Sequence, residues 1–171
     1  MTKEPIRDYW DSCLFIAYLK NLPSERDRVD AVSWLFNEAK FGRRIIIIST
    51  FVLSEVRPHS SYDSDKIALI EDLFDTDRPF IQIVSVTRTI ARQCRTICAN
   101  FPDLTNPDGI HIATAIHQKV DNFFTFDGDR ATKLKRSADL LQYDGKIGTP
   151  PLSISSPRAT IGPLFDGTHK P

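Results

Sequence analysis

Apolar and polar positions change period several times along the chain, and the changes outline a fold. Residues 6–10 (IRDYW) read as a short strand, followed by an apolar helical stretch from about Ser12 to Leu19. Ser24 can cap a second helix, with Asp27 three residues on and Val29, Val32, Leu35, Phe36 and Ala39 along its inner face. The run RRIIIIST comes next. Four consecutive isoleucines between charged and hydroxyl residues predict a strand covered on both faces, the mark of a parallel sheet. A helix over STFVLSEV follows at once, then another built on Ile67, Ile70, Leu73 and Phe74. FIQIVSV (80–86) predicts a third strand, and residues 87–100 an amphipathic helix. A further helix carries Asp108 and runs to about Val120, and NFFTF (122–126) is a fourth strand. The order βααβααβααβ predicts an open α/β fold with right-handed crossovers.

The texture changes at Gly145. Five of the 11 prolines and four of the seven glycines fall after that point. Residues 1–144 are therefore read as the folded domain and 145–171 as a Pro/Gly-rich extension, with an edge strand expected at 152–155 and a flexible tail beyond. The length of 171 residues suits one domain with a sizeable core, and 41% hydrophobic with 26% charged residues is the composition of a soluble globular protein. No apolar run approaches the ~20 residues a membrane span needs, and the start, MTKEPIRDYWD, lacks an apolar signal core. Cys94 and Cys98 are spaced for the core face of one helix and read as thiols without a metal or redox role, so a reducing, cytoplasmic compartment is expected. Twenty-two acidic residues balance 22 basic ones, so attraction to phosphates has to come from local patches.

Carboxylates gather where this scheme places the strand ends. Asp11 follows the first strand, Glu55 lies on the helix after the isoleucine strand, and Asp127, with Asp129 behind it, follows the fourth. Asp108 opens its helix at helical spacing with Ile112 and Ala115, on the inward side. Parallel strands share one carboxyl edge, where ligand crevices of open α/β sheets form. Acids crowded there repel one another, and a hard divalent cation removes the conflict. Four acids without paired histidines suit Mg²⁺ or Mn²⁺ better than zinc. Taken singly, Asp11 or Asp129 can be a cap or turn residue.

Four stretches, WDSCLFIAYL (10–19), STFVLSEV (49–56), NPDGIHIATAI (106–116) and FFTFDGD (123–129), resemble the motifs of the PIN domain, the ribonuclease fold of toxins in VapBC toxin–antitoxin pairs. The resemblance covers roughly residues 6–130. It implies a three-layer fold with a central parallel sheet of four to five strands flanked by helices. It also implies a metal-dependent endoribonuclease in which Asp11, Glu55, Asp108 and Asp127 hold Mg²⁺ or Mn²⁺, with Asp129 competing for the fourth place. Ser12 and Thr125 match hydroxyl positions that order the site. RNA is the implied substrate, an antitoxin protein the implied silencing partner, and a homodimer the implied assembly. Gly109 stands where the family more often has alanine, and Asp8 reads as a solvated bystander.

Other residues are weighed against that frame. His111 falls on a polar arc with Thr114 and Gln118 and reads as a hydrogen-bonded structural histidine. Arg57 and His59 lie just past Glu55, where they can meet a phosphate or simply face solvent. Arg130, Lys133, Lys135 and Arg136 follow the fourth strand and are candidates for RNA-backbone contacts, although charge runs are commonly solvated faces. Trp10 and Trp34 read as core or dimer-interface aromatics. Two rival functions remain at this level: Mg-dependent phosphoryl transfer on small molecules, and a PIN-like binding module without turnover. The DSC ending of the first strand lacks the second aspartate of a haloacid-type phosphatase, and no acidic pair marks a receiver.

Overall fold

A computed structural model describes residues 4–60, 62–129 and 139–159. The elements are β1 (Ile6–Trp10), α1 (Ser12–Lys20), α2 (Arg26–Lys40), β2 (Arg44–Ser49), α3 (Thr50–Glu55), α4 (Ser64–Phe74), β3 (Ile81–Val84), α5 (Arg88–Asn100), α6 (Asn106–His117), β4 (Asn122–Phe124) and β5 (Ile154–Ser155). All five strands are parallel, in the order β3-β2-β1-β4-β5. The expected α/β architecture with a central parallel sheet is what the chain adopts.

Period-two alternation explains the two cores. Ile46 and Ile48 of β2, with Trp10 of β1, pack against α1, α2 and α4 through Leu14, Phe15, Leu35 and Leu73. Tyr9, Ile47 and Phe123 point the other way, onto Ile90 and Cys94 of α5 and Ile112 and Ala115 of α6. Ile147, Leu152 and Ile154 are buried in this second core, so residues 145–155 close one end of it. Among the described residues, no helix is long and apolar enough to cross a membrane.

Several local expectations change. Asp8 is fully buried rather than solvated: its carboxylate accepts from Arg44 Nη1 at 2.6 Å and Asn122 Nδ2 at 2.8 Å. The reason is topological, because β1 is the middle strand and both of its faces are covered. Ser24 does not cap α2; a 3₁₀ turn over Pro23–Glu25 comes first and the helix begins at Arg26. Helix α6 ends at His117, with Lys119 in the left-handed region at φ 51°. Strand β4 stops at Phe124, two residues short of the apolar pattern. The candidate RNA contacts Arg130, Lys133, Lys135 and Arg136 lie outside the described residues, as does the tail from residue 160.

Candidate functional site

Chain geometry brings four acids to the carboxyl edge of the sheet. The last rung between β1 and β4, Asp11 N–H to Phe124 O at 3.0 Å, fixes the Asp11 backbone at the strand end. Its buried side chain then accepts from Thr125 Oγ1 at 2.7 Å and Cys13 Sγ at 3.2 Å, with Ser12 Oγ at 3.4 Å on the other oxygen. The two hydroxyls picked from the sequence therefore touch Asp11. Cys13 joins them, and the same sulfur accepts the Phe126 N–H at 3.1 Å. Burial, with the Asp11 charge beside it, pushes the Cys13 thiol well above its ordinary value, so it stays a neutral donor.

Asp108 occupies the third position of α6 and closes a capping box. Thr105 donates from its N–H (3.0 Å) and its hydroxyl (2.6 Å) to Asp108 Oδ2, and the Asp108 N–H donates back to Thr105 Oγ1 at 3.3 Å. Capping and clustering act on one side chain. Burial raises the protonation range of Asp108, the bonds from Thr105 oppose this, and the charge of Asp11 adds to it. Asp127 behaves alike: burial raises it, the Leu140 N–H at 3.2 Å opposes, and the charges of Asp108, Asp11 and Asp139 raise it further. These couplings tie Asp11, Asp108 and Asp127 into one electrostatic neighbourhood. Asp129 is held elsewhere, in an ion pair with Arg28 at 3.3 Å, and that guanidinium also covers the Phe126 ring.

Glu55 meets the others through a residue that sequence periodicity undervalued. His111 is 2% exposed, because α6 is covered by α5 on one side and by β2 and α3 on the other. Its Nε2 lies 2.9 Å from Glu55 Oε2 and 3.7 Å from Asp11 Oδ1, and its Nδ1 lies 2.8 Å from the Tyr9 hydroxyl. Burial works against a charged imidazole, but the Glu55 hydrogen bond and the charges of Asp11, Glu55 and Asp108 outweigh it, so protonation is favoured. As imidazolium, both ring nitrogens donate. The Tyr9 hydroxyl accepts from the ring and from Ser49 N–H (3.3 Å) and passes its own proton to Ser49 Oγ at 3.1 Å.

Asp11, Glu55 and His111 offer ligand atoms within 4.8 Å of one another. The two carboxylates fit a cation; His111 already has a partner at each ring nitrogen, Glu55 at Nε2 and the Tyr9 hydroxyl at Nδ1. Tyr9 and Ser49 escaped the sequence reading as well. The only signal was a hydroxyl-bearing residue near the carboxyl end of each of two strands.

The donor set suits a hard divalent ion. Asp11 and Glu55 offer oxygen atoms within that group of three; Asp108 and Asp127 lie outside it but couple electrostatically to Asp11. Among the described residues no Lys or Arg pairs with any of the four acids. Burial, with the neighbouring carboxylate charges added to it, raises the protonation range of Asp108 and Asp127.

A family model described as the PIN domain matches residues 9–139. No curated protein matches the chain. Among solved structures, the chain is similar to the Mycobacterium tuberculosis VapC20 toxin, described as cleaving the Sarcin-Ricin loop, with a TM-score of 0.56 at 13% identity over 71% of this chain and 91% of that one. It is also similar to VapBC2 from Rickettsia felis bound to a promoter DNA fragment, with a TM-score of 0.54 at 15% identity over 88% and 98%. A toxin–antitoxin complex from Klebsiella pneumoniae gives 0.52 at 14% identity over 75% and 92%. At such identities the likeness concerns the fold alone.

Proposed function

The chain belongs to the PIN domain family, and on that footing we propose that it is a divalent-metal-dependent endoribonuclease acting as a toxin of the VapBC kind. The carrying observation is the gathering of Asp11, Glu55, Asp108 and Asp127, from four separate elements, on one edge where, among the described residues, no Lys or Arg pairs with them and His111 is the basic group at hand. These carboxylates would hold Mg²⁺ or Mn²⁺, hard cations that take oxygen ligands. Bound there, the ion supplies charge to a phosphoryl oxygen and lowers the pKa of water. Thr125, Cys13 and Ser12 keep Asp11 aimed; Thr105 keeps Asp108 aimed; His111 keeps Glu55 turned toward Asp11. Asp127, rather than Asp129, is the fourth acid, because Arg28 already satisfies Asp129.

The similarity of fold to a Sarcin-Ricin loop cleaving toxin and to a toxin–antitoxin complex supports the toxin role and an antitoxin as partner. The motif pattern of the four stretches supports RNA as substrate. Purified protein is incubated with RNA with and without Mg²⁺ or Mn²⁺, beside Asp11→Asn and Asp108→Asn. Cleavage that requires the metal and is lost in both variants is expected. Cleavage undiminished in the variants overturns the assignment, and phosphatase activity without RNA cleavage favours the small-molecule reading.

A further inference from the structure

Beside the acid cluster lies a cavity of about 500 Å³, within the ~300–1,000 Å³ range of small-ligand sites. Its walls come from the end of α1, the segment leaving α3, and the start of α4. Ile16 and Val56 form an aliphatic floor, and the half-buried Tyr62 ring stands against it. Three cations rim the opening: Lys20, Arg57 and Lys66, the last with Nζ 5.7 Å from the centre of the Tyr62 ring. Among the described lining residues the single acid is Glu55, whose other side meets His111 and the cluster. The cavity therefore begins where the proposed reaction centre ends.

An aromatic face, an apolar floor and three cations in a chain of zero net charge make a concentrated preference for one chemistry: a flat, apolar-faced ring joined to anions. Resting on the ribonuclease reading above, we infer that this cavity seats one unstacked nucleotide of single-stranded RNA next to the phosphodiester being cut. Its base lies against Tyr62, and its phosphates lie among Lys20, Arg57 and Lys66. Base-paired RNA is a poor occupant, since its bases cannot leave the stack without cost. An apolar peptide meets the floor but leaves three cations with nothing to neutralise them.

The test uses the full chain, a short single-stranded RNA with 2′-O-methyl sugars that resists hydrolysis, and EDTA. Tyr62→Ala is expected to weaken binding about ten-fold. Lys66→Gln is expected to flatten the slope of log Kd against log salt by about 0.7. Both variants keep the wild-type melting temperature and Mn²⁺ affinity, and with cleavable RNA the change appears in KM more than in kcat. Wild-type binding and cleavage with both variants indistinguishable from it overturn the pocket while leaving the nuclease standing. Absence of metal-dependent RNA cleavage by the wild type overturns both. A third result also overturns the inference: RNA affinity retained in the variants while a synthetic Leu/Glu-rich helical peptide loses its binding, which assigns the cavity to a protein partner.

Discussion

Two buried aspartates lie three residues apart, Asp8 within strand β1 and Asp11 just past its end, and their surroundings could hardly differ more. Asp8, near the amino edge of the sheet, is closed in by an arginine and an asparagine that the fold itself supplies. Asp11, at the carboxyl edge, receives a hydroxyl, a thiol and a weaker serine contact, with His111 Nε2 at 3.7 Å and with Asp108 and Asp127 adding charge of its own sign nearby. A buried acid with its counter-ion built in belongs to the architecture. A group of acids that shares one histidine, and no Lys or Arg among the described residues, fits a cation that arrives from solution.

Exchanging the two roles by mutation gives the largest contrast. Asp8→Ala strands Arg44 and is expected to cost about 3 kcal/mol in urea unfolding, whereas Asp11→Asn changes stability by less than about 1 kcal/mol yet lowers cleavage more than ~100-fold. Comparable stability losses in both would erase the distinction. The next effect concerns pH. Asp108 and Asp127 hold their protons more tightly folded than unfolded, so without metal the native state loses stability as pH rises from the ordinary carboxylate range through their raised values. Mn²⁺ should therefore raise the melting temperature strongly at pH 7 and little at pH 4, measured by calorimetry. Asp8, also raised chiefly by burial, contributes a part of the decline that Mn²⁺ leaves in place.

Smaller effects follow from single bonds. Tyr9→Phe removes the acceptor of His111 Nδ1 and the partner of Ser49, at about 1 kcal/mol in stability, and relaxes Glu55 enough to weaken Mn²⁺ affinity about ten-fold by titration calorimetry. Asp129→Asn is the mildest: losing a half-buried pair with Arg28 costs under about 1 kcal/mol, and cleavage rates stay within roughly two-fold. A large loss of cleavage in that variant would move the fourth acid from Asp127 to Asp129.

Much of the molecule was readable in advance because it rests on period. RIIII can satisfy two cores only in the middle of a parallel sheet, and the acids at strand ends fall on one edge once the strands are parallel. What escaped depends on contacts between distant segments. Asp8 looked solvated because polar alternation cannot tell a solvent-facing position from one facing Arg44 and Asn122. His111 was legible as a hydrogen-bonded histidine but not as the partner of Glu55, because a helix with two covered sides keeps its polar stripe inside. Asp127 and Asp129 could not be separated until Arg28, 101 residues from Asp129, was seen to take the latter. The Gly109 position shows the same lesson in packing: a Cβ there would sit 2.5 Å from Cys98 Sγ and 2.9 Å from Cys94 Sγ, so the bulk an alanine would add is already supplied by α5.

The strand order has a consequence for the timing of synthesis. β1 is made first, and β2 and β3 pair outward from one of its sides, so its other side stays open until β4 is made some 110 residues later. Thr125, which holds the Asp11 carboxylate, and Asp127 both arrive with that late segment. A chain still on the ribosome thus carries Asp11 well before it has the means of aiming it, and the site becomes complete only when β4 closes the sheet on β1.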